Sequence, residues 1–159
     1  MTEYAETKSK NIKQDYIGLH YRPFSNDNTG QTQQQIDLDN NREYINTILE
    51  SHKDKIVFVS TPKNILKDYL RKSVYTNYYI NDFVFPDDHE QMYRLNLNDD
   101  ELFTYFKETL CDMYCLSKCK KIYRIANWFS GFLFFSCTFN QTSVPNLERF
   151  IPEMQVIPL

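Results

Sequence analysis

The segment KIVFVS, residues 55–60, is the strongest indication of fold class in this chain. It is an unbroken apolar run, typical of a strand that is buried on both faces of a parallel sheet. Residues 40–53 before it carry apolar side chains at helical spacing, and Asn40 and Glu43 are spaced as a capping box. Residues 62–73 after it begin with Pro62, a residue favoured at the first helical position. The pattern around the strand is therefore helix, strand, helix.

The same alternation continues in both directions along the chain. Further strands are predicted over 15–22, 78–85 and 120–126, and further helices from about 98 to 119 and over 129–138. Asn98 and Glu101 form a second predicted capping box. The order β-α-β-α-β-α-β-α predicts an α/β fold, a Rossmann-like doubly wound domain with a mostly parallel sheet.

The chain of 159 residues has the length of one domain, with polar segments at its ends and after its first strand. Residues 1–14 are expected to be a disordered leader, and residues 24–35 a polar loop. The domain itself is predicted over 15–140. The last segment, 141–159, contains three prolines and is expected to be an extended tail.

Composition excludes several classes of function. A net charge of −3 argues against nonspecific nucleic-acid binding, which needs clustered lysine and arginine. The longest aromatic run, 128–139, is too short for a membrane span of about 20 residues, and the polar start lacks a signal peptide. Four cysteines in such a chain indicate reduced thiols, so the protein is expected to be cytoplasmic and without a membrane segment, unless it is part of a larger, anchored protein.

Three cysteines recur every four residues, at Cys111, Cys115 and Cys119, and so share one stripe of a helix. Over eight residues a helix rises about 12 Å, too far for three thiolates to share one ion. We therefore interpret the stripe as packing rather than as a metal site.

Polar residues at the carboxyl ends of the strands are the candidates for chemistry, because ligands of open α/β sheets bind there. His20 and Arg22 lie two residues apart on one face of the first strand. Asp112 lies in an apolar stretch, where a charge is costly unless it has a partner. Spacing alone leaves two interpretations open for each group: a structural ion pair or hydrogen bond, and a contact with a ligand.

Three segments resemble a known family. IGLHYR (17–22) resembles the motif V-x-V-H-x-R-R of the α1,2-, α1,6- and protein O-fucosyltransferase superfamily. LCDMYCLSKCKKI (110–122) resembles its later segment D-x-x-x-L-S-x-C-x-x-I, and KIVFVSTPKNILKDYL (55–70) resembles the strand and helix between them. The resemblance runs from about Tyr16 to Phe135, in the family's order.

The resemblance implies the donor-binding half of a GT-B glycosyltransferase, which binds GDP-fucose and transfers the sugar with inversion. Arg22 would be catalytic by offsetting charge on the leaving GDP. His20 would contact the diphosphate, Asp112 the guanine, and Asn127 and Ser130 the phosphate at a helix start. No metal or other cofactor is implied. The implied partners are a nucleotide sugar, a glycan acceptor and a second chain that supplies the other GT-B half.

The sequence also departs from these motifs. Pro23 replaces the second arginine, and Asn127-Trp128 replaces a pair of serines. Three hypotheses follow: a glycosyltransferase domain of the GDP-fucose type, a catalytically inactive relative kept for binding or assembly, and a generic Rossmann-like protein. Convergence of His20, Arg22, Asp112 and Ser130 on one cleft would support a donor site, whereas an Asp112 side chain that faces away from Arg22 would oppose it.

Overall fold

The computed structural model describes residues 2–12, 15–23, 30–84, 96–125 and 136. They form four helices around a four-stranded, all-parallel sheet with the strand order β3-β2-β1-β4. The elements in chain order are α1 (Thr2–Asn11), β1 (Ile17–Tyr21), α2 (Gly30–Ser51), β2 (Val57–Ser60), α3 (Asn64–Lys72), β3 (Tyr78–Ile80), α4 (Asp99–Ser117) and β4 (Ile122–Ile125). The predicted α/β fold with a Rossmann-like parallel sheet is confirmed.

Helices cover both faces of the sheet. On one face, α2 and α3 pack through a cluster of aliphatic side chains that includes Leu49, Val59 and Leu70. On the other face, α1 and α4 enclose a second cluster, around Phe58 and Leu116. Because β1 and β2 are covered on both sides, their residues are buried without alternation.

Register places the strand ends level with one another. His20 of β1 pairs with Ser60 of β2 on one side and with Arg124 of β4 on the other. The carboxyl ends of these strands therefore form one edge of the sheet, with α4 on one face.

Helix α4 begins where the sequence predicts. Asn98 accepts a hydrogen bond from the Glu101 amide at 3.0 Å, and the Glu101 carboxylate accepts one from the Asn98 amide at 2.9 Å. This reciprocal pair satisfies two of the free N–H groups at the start of the helix. The predicted capping box is confirmed.

Helix α2 differs from the prediction, since it begins at Gly30 rather than near Asn40. The polar segment expected to be a loop up to Gln35 is thus partly helical. Its polar side chains bond within the helix: Gln35 donates to Asp39 at 3.0 Å, and Asn41 donates to the Asp37 carbonyl at 2.7 Å. Asn40 and Glu43 therefore lie inside the helix and do not form a capping box.

The expected disordered leader is also wrong, because residues 2–11 form α1. Ala5 of α1 and Ile12, which directly follows α1, are buried in the cluster that α1 shares with α4. The first residues are therefore part of the fold.

Other predicted boundaries are close to the observed ones. Helix α3 begins two residues after Pro62, because the Thr61 hydroxyl accepts a hydrogen bond from the Lys63 amide at 3.0 Å and turns the backbone first. Strand β3 ends at Ile80, earlier than predicted. The predicted helix 129–138, apart from Ser136, and the predicted tail 141–159 lie outside the described residues. Within the described part of the chain, no helix is long and apolar enough to cross a membrane.

Gly18 permits close contact between β1 and α4. A methyl group there would lie 2.9 Å from Cδ2 of Leu116 and 3.0 Å from Cγ1 of Ile122, both buried. We expect Gly18→Ala to lower the free energy of unfolding by about 1–3 kcal/mol, since overpacking forces a well-packed core apart. Urea denaturation measures this, with the exposed Val74→Ala as control. A Gly18→Ala protein as stable as the control would contradict the close packing.

Candidate functional site

A row of polar side chains crosses the carboxyl edge of the sheet on the α4 face. In strand order it comprises Asn81, Ser60, His20 and Arg124, and Asn81 directly follows β3. In each of the four strands, the residue two positions earlier packs on the α4 side of the sheet. Because residues two apart on a strand point to the same face, all four polar side chains lie on that face. All four are buried. The apolar layer under α4 therefore gives way to a polar one at this edge.

A cleft opens at the middle of this edge. It is lined by His20, Arg22, Ser60, Thr61, Pro62, Tyr105, Thr109 and Asp112. Its cavity volume is about 50 Å³, which suits a few waters or one small polar group rather than a whole nucleotide. Three predicted site residues, His20, Arg22 and Asp112, thus share one cleft. The other two, Asn127 and Ser130, lie outside the described residues.

His20 is a neutral group in this cleft. Its side chain is buried, and burial lowers its pKa to about 3, helped by the positive charges of Arg22 and Arg124. At neutral pH the imidazole therefore carries no charge, and one of its ring nitrogens can serve as a donor and the other as an acceptor.

The two arginines give the His20 side of the cleft a positive charge. Arg22 is exposed, and its backbone amide donates to the Ile125 carbonyl at 2.8 Å, which ties the residue to the end of β4. Arg124 is buried, and burial lowers its pKa, although an arginine keeps its charge at neutral pH. A planar guanidinium at a cleft mouth is suited to phosphate or carboxylate.

Asp112 supplies a carboxylate on the opposite wall. It is 4% exposed and accepts a hydrogen bond from Asn81 Nδ2 at 3.1 Å and one from the Ser60 hydroxyl. Burial raises its pKa to about 6, against the opposing effect of those hydrogen bonds and of the charges on Lys67 and Lys8. The group is therefore mostly ionised at neutral pH, with acceptor capacity to spare.

Asn81 connects Asp112 to a second buried carboxylate. Its Nδ2 also donates to Glu108 at 2.9 Å, and its Oδ1 accepts from the Phe83 amide at 3.0 Å and from Lys8 Nζ at 3.2 Å. Lys8 forms an ion pair with Glu108 at 2.7 Å. The network thus runs from the cleft to α1.

Glu108 receives enough donors to remain ionised. Tyr4 donates to it at 2.6 Å, in addition to Lys8 and Asn81. Burial favours the neutral acid, but these three hydrogen bonds prevail and lower the pKa of Glu108. Ionised Glu108 and Asp112 are one helical turn apart and share the single amide of Asn81.

Several residues of this site were not predicted from the sequence: Lys67, Asn81, Tyr105, Glu108 and Thr109. Asn81 had a usable signal, because it is the first residue after a strand, at the edge where ligands of such sheets bind. Lys67 had a weaker signal, because it is a lysine beside the apolar positions Leu66 and Leu70 of α3. Its side chain is buried and donates to the Phe83 carbonyl. Glu108 depends on contacts 100 residues away, which no local pattern shows.

The cysteine stripe is part of the core. Cys111, Cys115 and Cys119 are free, buried and packed in the cluster between α4 and the sheet, which confirms the prediction of packing. Among the described residues, no group of three or more His, Cys, Asp or Glu side chains is arranged to hold a metal ion.

Comparisons of the chain with protein-family models, with curated proteins and with solved structures found no match.

Proposed function

We propose that the chain is a nucleotide-sugar-binding domain of the glycosyltransferase type, with a GDP-sugar such as GDP-fucose as its donor. One observation supports this most directly. His20 and Arg22 are separated from Asp112 by about 90 residues, yet they line one cleft at the carboxyl edge of a parallel sheet. That edge is the usual ligand site of open α/β sheets.

The charges suit the two ends of such a ligand. Arg22 can donate two parallel hydrogen bonds to a diphosphate oxygen pair, and neutral His20 can donate a third. Charge that develops on a departing nucleoside diphosphate is stabilised by a guanidinium already in place, the electrostatic effect that usually dominates catalysis. The hydrogen bonds that Asp112 accepts within the protein leave it able to accept further ones from paired N–H donors such as those of guanine.

The small volume limits what this cleft holds. About 50 Å³ accommodates one small polar group beside Asp112, so a diphosphate bound to the exposed Arg22 and the rest of the ligand would lie outside the cavity. The acceptor glycan and a second chain that completes a GT-B enzyme are part of the same proposal.

Calorimetric titration with GDP tests the proposal, with UDP as the competing nucleotide. We expect Arg22→Ala to weaken GDP binding at least about tenfold, or roughly 1.4 kcal/mol, through loss of a charged hydrogen-bond pair. Arg71→Ala, which removes a half-exposed arginine on α3, is the matched control and should bind like the parent. Asp112→Asn should lose any preference for GDP over UDP. Absence of GDP binding at millimolar concentration, or equal loss in both arginine variants, contradicts the proposal.

A binding domain without catalysis is the second candidate. It is favoured by Pro23, which follows Arg22 where the family motif has a second arginine and is itself buried. It is also favoured by the internal bonds of Asp112 to Asn81 and Ser60. Incubation with GDP-fucose, with water as the acceptor, tests for catalysis: release of GDP together with free fucose supports a transferase, whereas the second candidate predicts binding without release.

A further inference from the structure

Helix α1 reaches the cleft through a continuous chain of hydrogen bonds. Lys8 contacts both Glu108, at 2.7 Å, and Asn81, at 3.2 Å. Asn81 in turn donates to Asp112 at 3.1 Å. No other cation forms an ion pair with Glu108 among the described residues. Lys8 thus acts on both neighbouring carboxylates, directly on Glu108 and at longer range on Asp112, where the charge of Lys67 acts as well.

We propose that Lys8 is a positioning residue of the cleft, which acts through Glu108 and Asn81 to hold the Asp112 carboxylate ionised and aimed at the ligand. Its Nζ fixes the Asn81 side-chain oxygen, so the Asn81 amide hydrogens point to the two carboxylates. Its charge also balances Glu108, which would otherwise repel ionised Asp112 across one helical turn. Helix α1 would then help to position a ligand-binding group, a role that goes beyond the proposed function.

The remaining groups around Asp112 do not replace Lys8. Lys67 acts on Asp112 from α3, but its Nζ donates to the Phe83 carbonyl and not to Glu108. From α4, the thiols of Cys111 and Cys115 are neighbours, and neither is a cation. His20 is neutral, and Arg22 lies at the exposed side of the cleft.

Carboxyl carbon NMR of the full chain tests this inference without any ligand, so its failure is distinct from failure of the proposed function. The Asp112 signal is assigned by its loss in Asp112→Asn. We expect Lys8→Met to raise the Asp112 pKa by roughly half a unit, the scale of one screened charge beyond direct contact. Lys10→Met, an exposed lysine on the same helix, is the matched control and should leave it unchanged. Lys8→Arg keeps the charge and should restore the parent value.

Glu108→Gln provides a test of opposite sign. Removal of this negative charge should lower the Asp112 pKa, whereas a purely structural disturbance would raise it by loosening the hydrogen bonds. This variant decides the question if Lys8→Met does not fold. Identical Asp112 titrations in folded Lys8→Met and Lys10→Met, or no fall in Glu108→Gln, would overturn the inference.

Discussion

Replacement of Asn81 by leucine should lower the free energy of unfolding by about 3–5 kcal/mol, because it leaves two buried carboxylates without a shared donor. Asn81 donates to Asp112 at 3.1 Å and to Glu108 at 2.9 Å, and both acceptors are charged. Hydrogen bonds to charged groups contribute about 1.5–3 kcal/mol each. The loss is a large part of the roughly 5–15 kcal/mol that stabilises a typical domain.

Urea denaturation of Asn81→Leu at neutral pH measures this effect. Asn40→Leu is the control, since Asn40 is exposed on α2 and the change in side chain is the same. A second expectation distinguishes charge from shape: the deficit of Asn81→Leu should shrink at low pH, where both carboxylates are protonated. Equal stability of the two variants at neutral pH would show that the network contributes little.

The second large effect is a pair of opposed pH dependences in the cleft. The folded-state pKa of His20 is about 3, below its unfolded value of about 6.5, so stability is lost as pH falls through that interval. The folded-state pKa of Asp112 is about 6, above its unfolded value of about 3.9, so stability is lost as pH rises through that interval. Between about pH 4 and 6 each contributes about 2 kcal/mol, with opposite sign.

Variants at the two positions should separate these contributions. Relative to the parent, Asp112→Asn removes the compensating group, so its stability should fall more steeply, by about 2 kcal/mol, as pH is lowered from 6 to 4. His20→Gln should show the reverse, a relative gain of similar size. Urea unfolding at several pH values gives both slopes as differences from the parent, which cancels the common effect of the exposed carboxylates. Parallel curves for all three proteins would contradict the assigned burial of both groups.

Much of this fold is local in origin and could therefore be predicted. The apolar run Val57–Ser60 indicates a buried parallel strand, and the Asn98–Glu101 pair fixes the start of α4 through backbone bonds three residues apart. The position of β1 along the chain follows from a similar pattern. These features depend on neighbours in sequence, so their signal is present in the sequence.

The misjudged elements have non-local causes. Helix α1 is polar, and it is held by contacts such as Tyr4 to Glu108, which span 104 residues. The start of α2 has few apolar residues, although Leu38 is buried against the sheet. Local composition does not show which distant surface will cover such a segment.

The site was predictable only in part, because some of its features are local in sequence and others depend on distant contacts. The spacing of His20 and Arg22 on a strand, and the cost of a charge at Asp112, single these residues out. Glu108 could not be predicted because its role arises only when β3 and α4 come together, and the position of Asn81 after a strand does not show which carboxylates it contacts. The sequence therefore indicates the chemical groups of the cleft, while tertiary packing supplies their partners.

The strand order also has a consequence for the time course of folding. Central strand β1 pairs with β2 and with β4, and its Gly18 lies 104 residues before its β4 partner Ile122. At a synthesis rate of about 5–20 residues per second, that side of β1 lacks its partner for roughly 5–20 s on the ribosome. An unpaired strand edge is a template for association with other chains. A nascent chain is therefore most exposed to aggregation before β4 completes the sheet, and chaperone dependence should be greatest before residue 125 emerges.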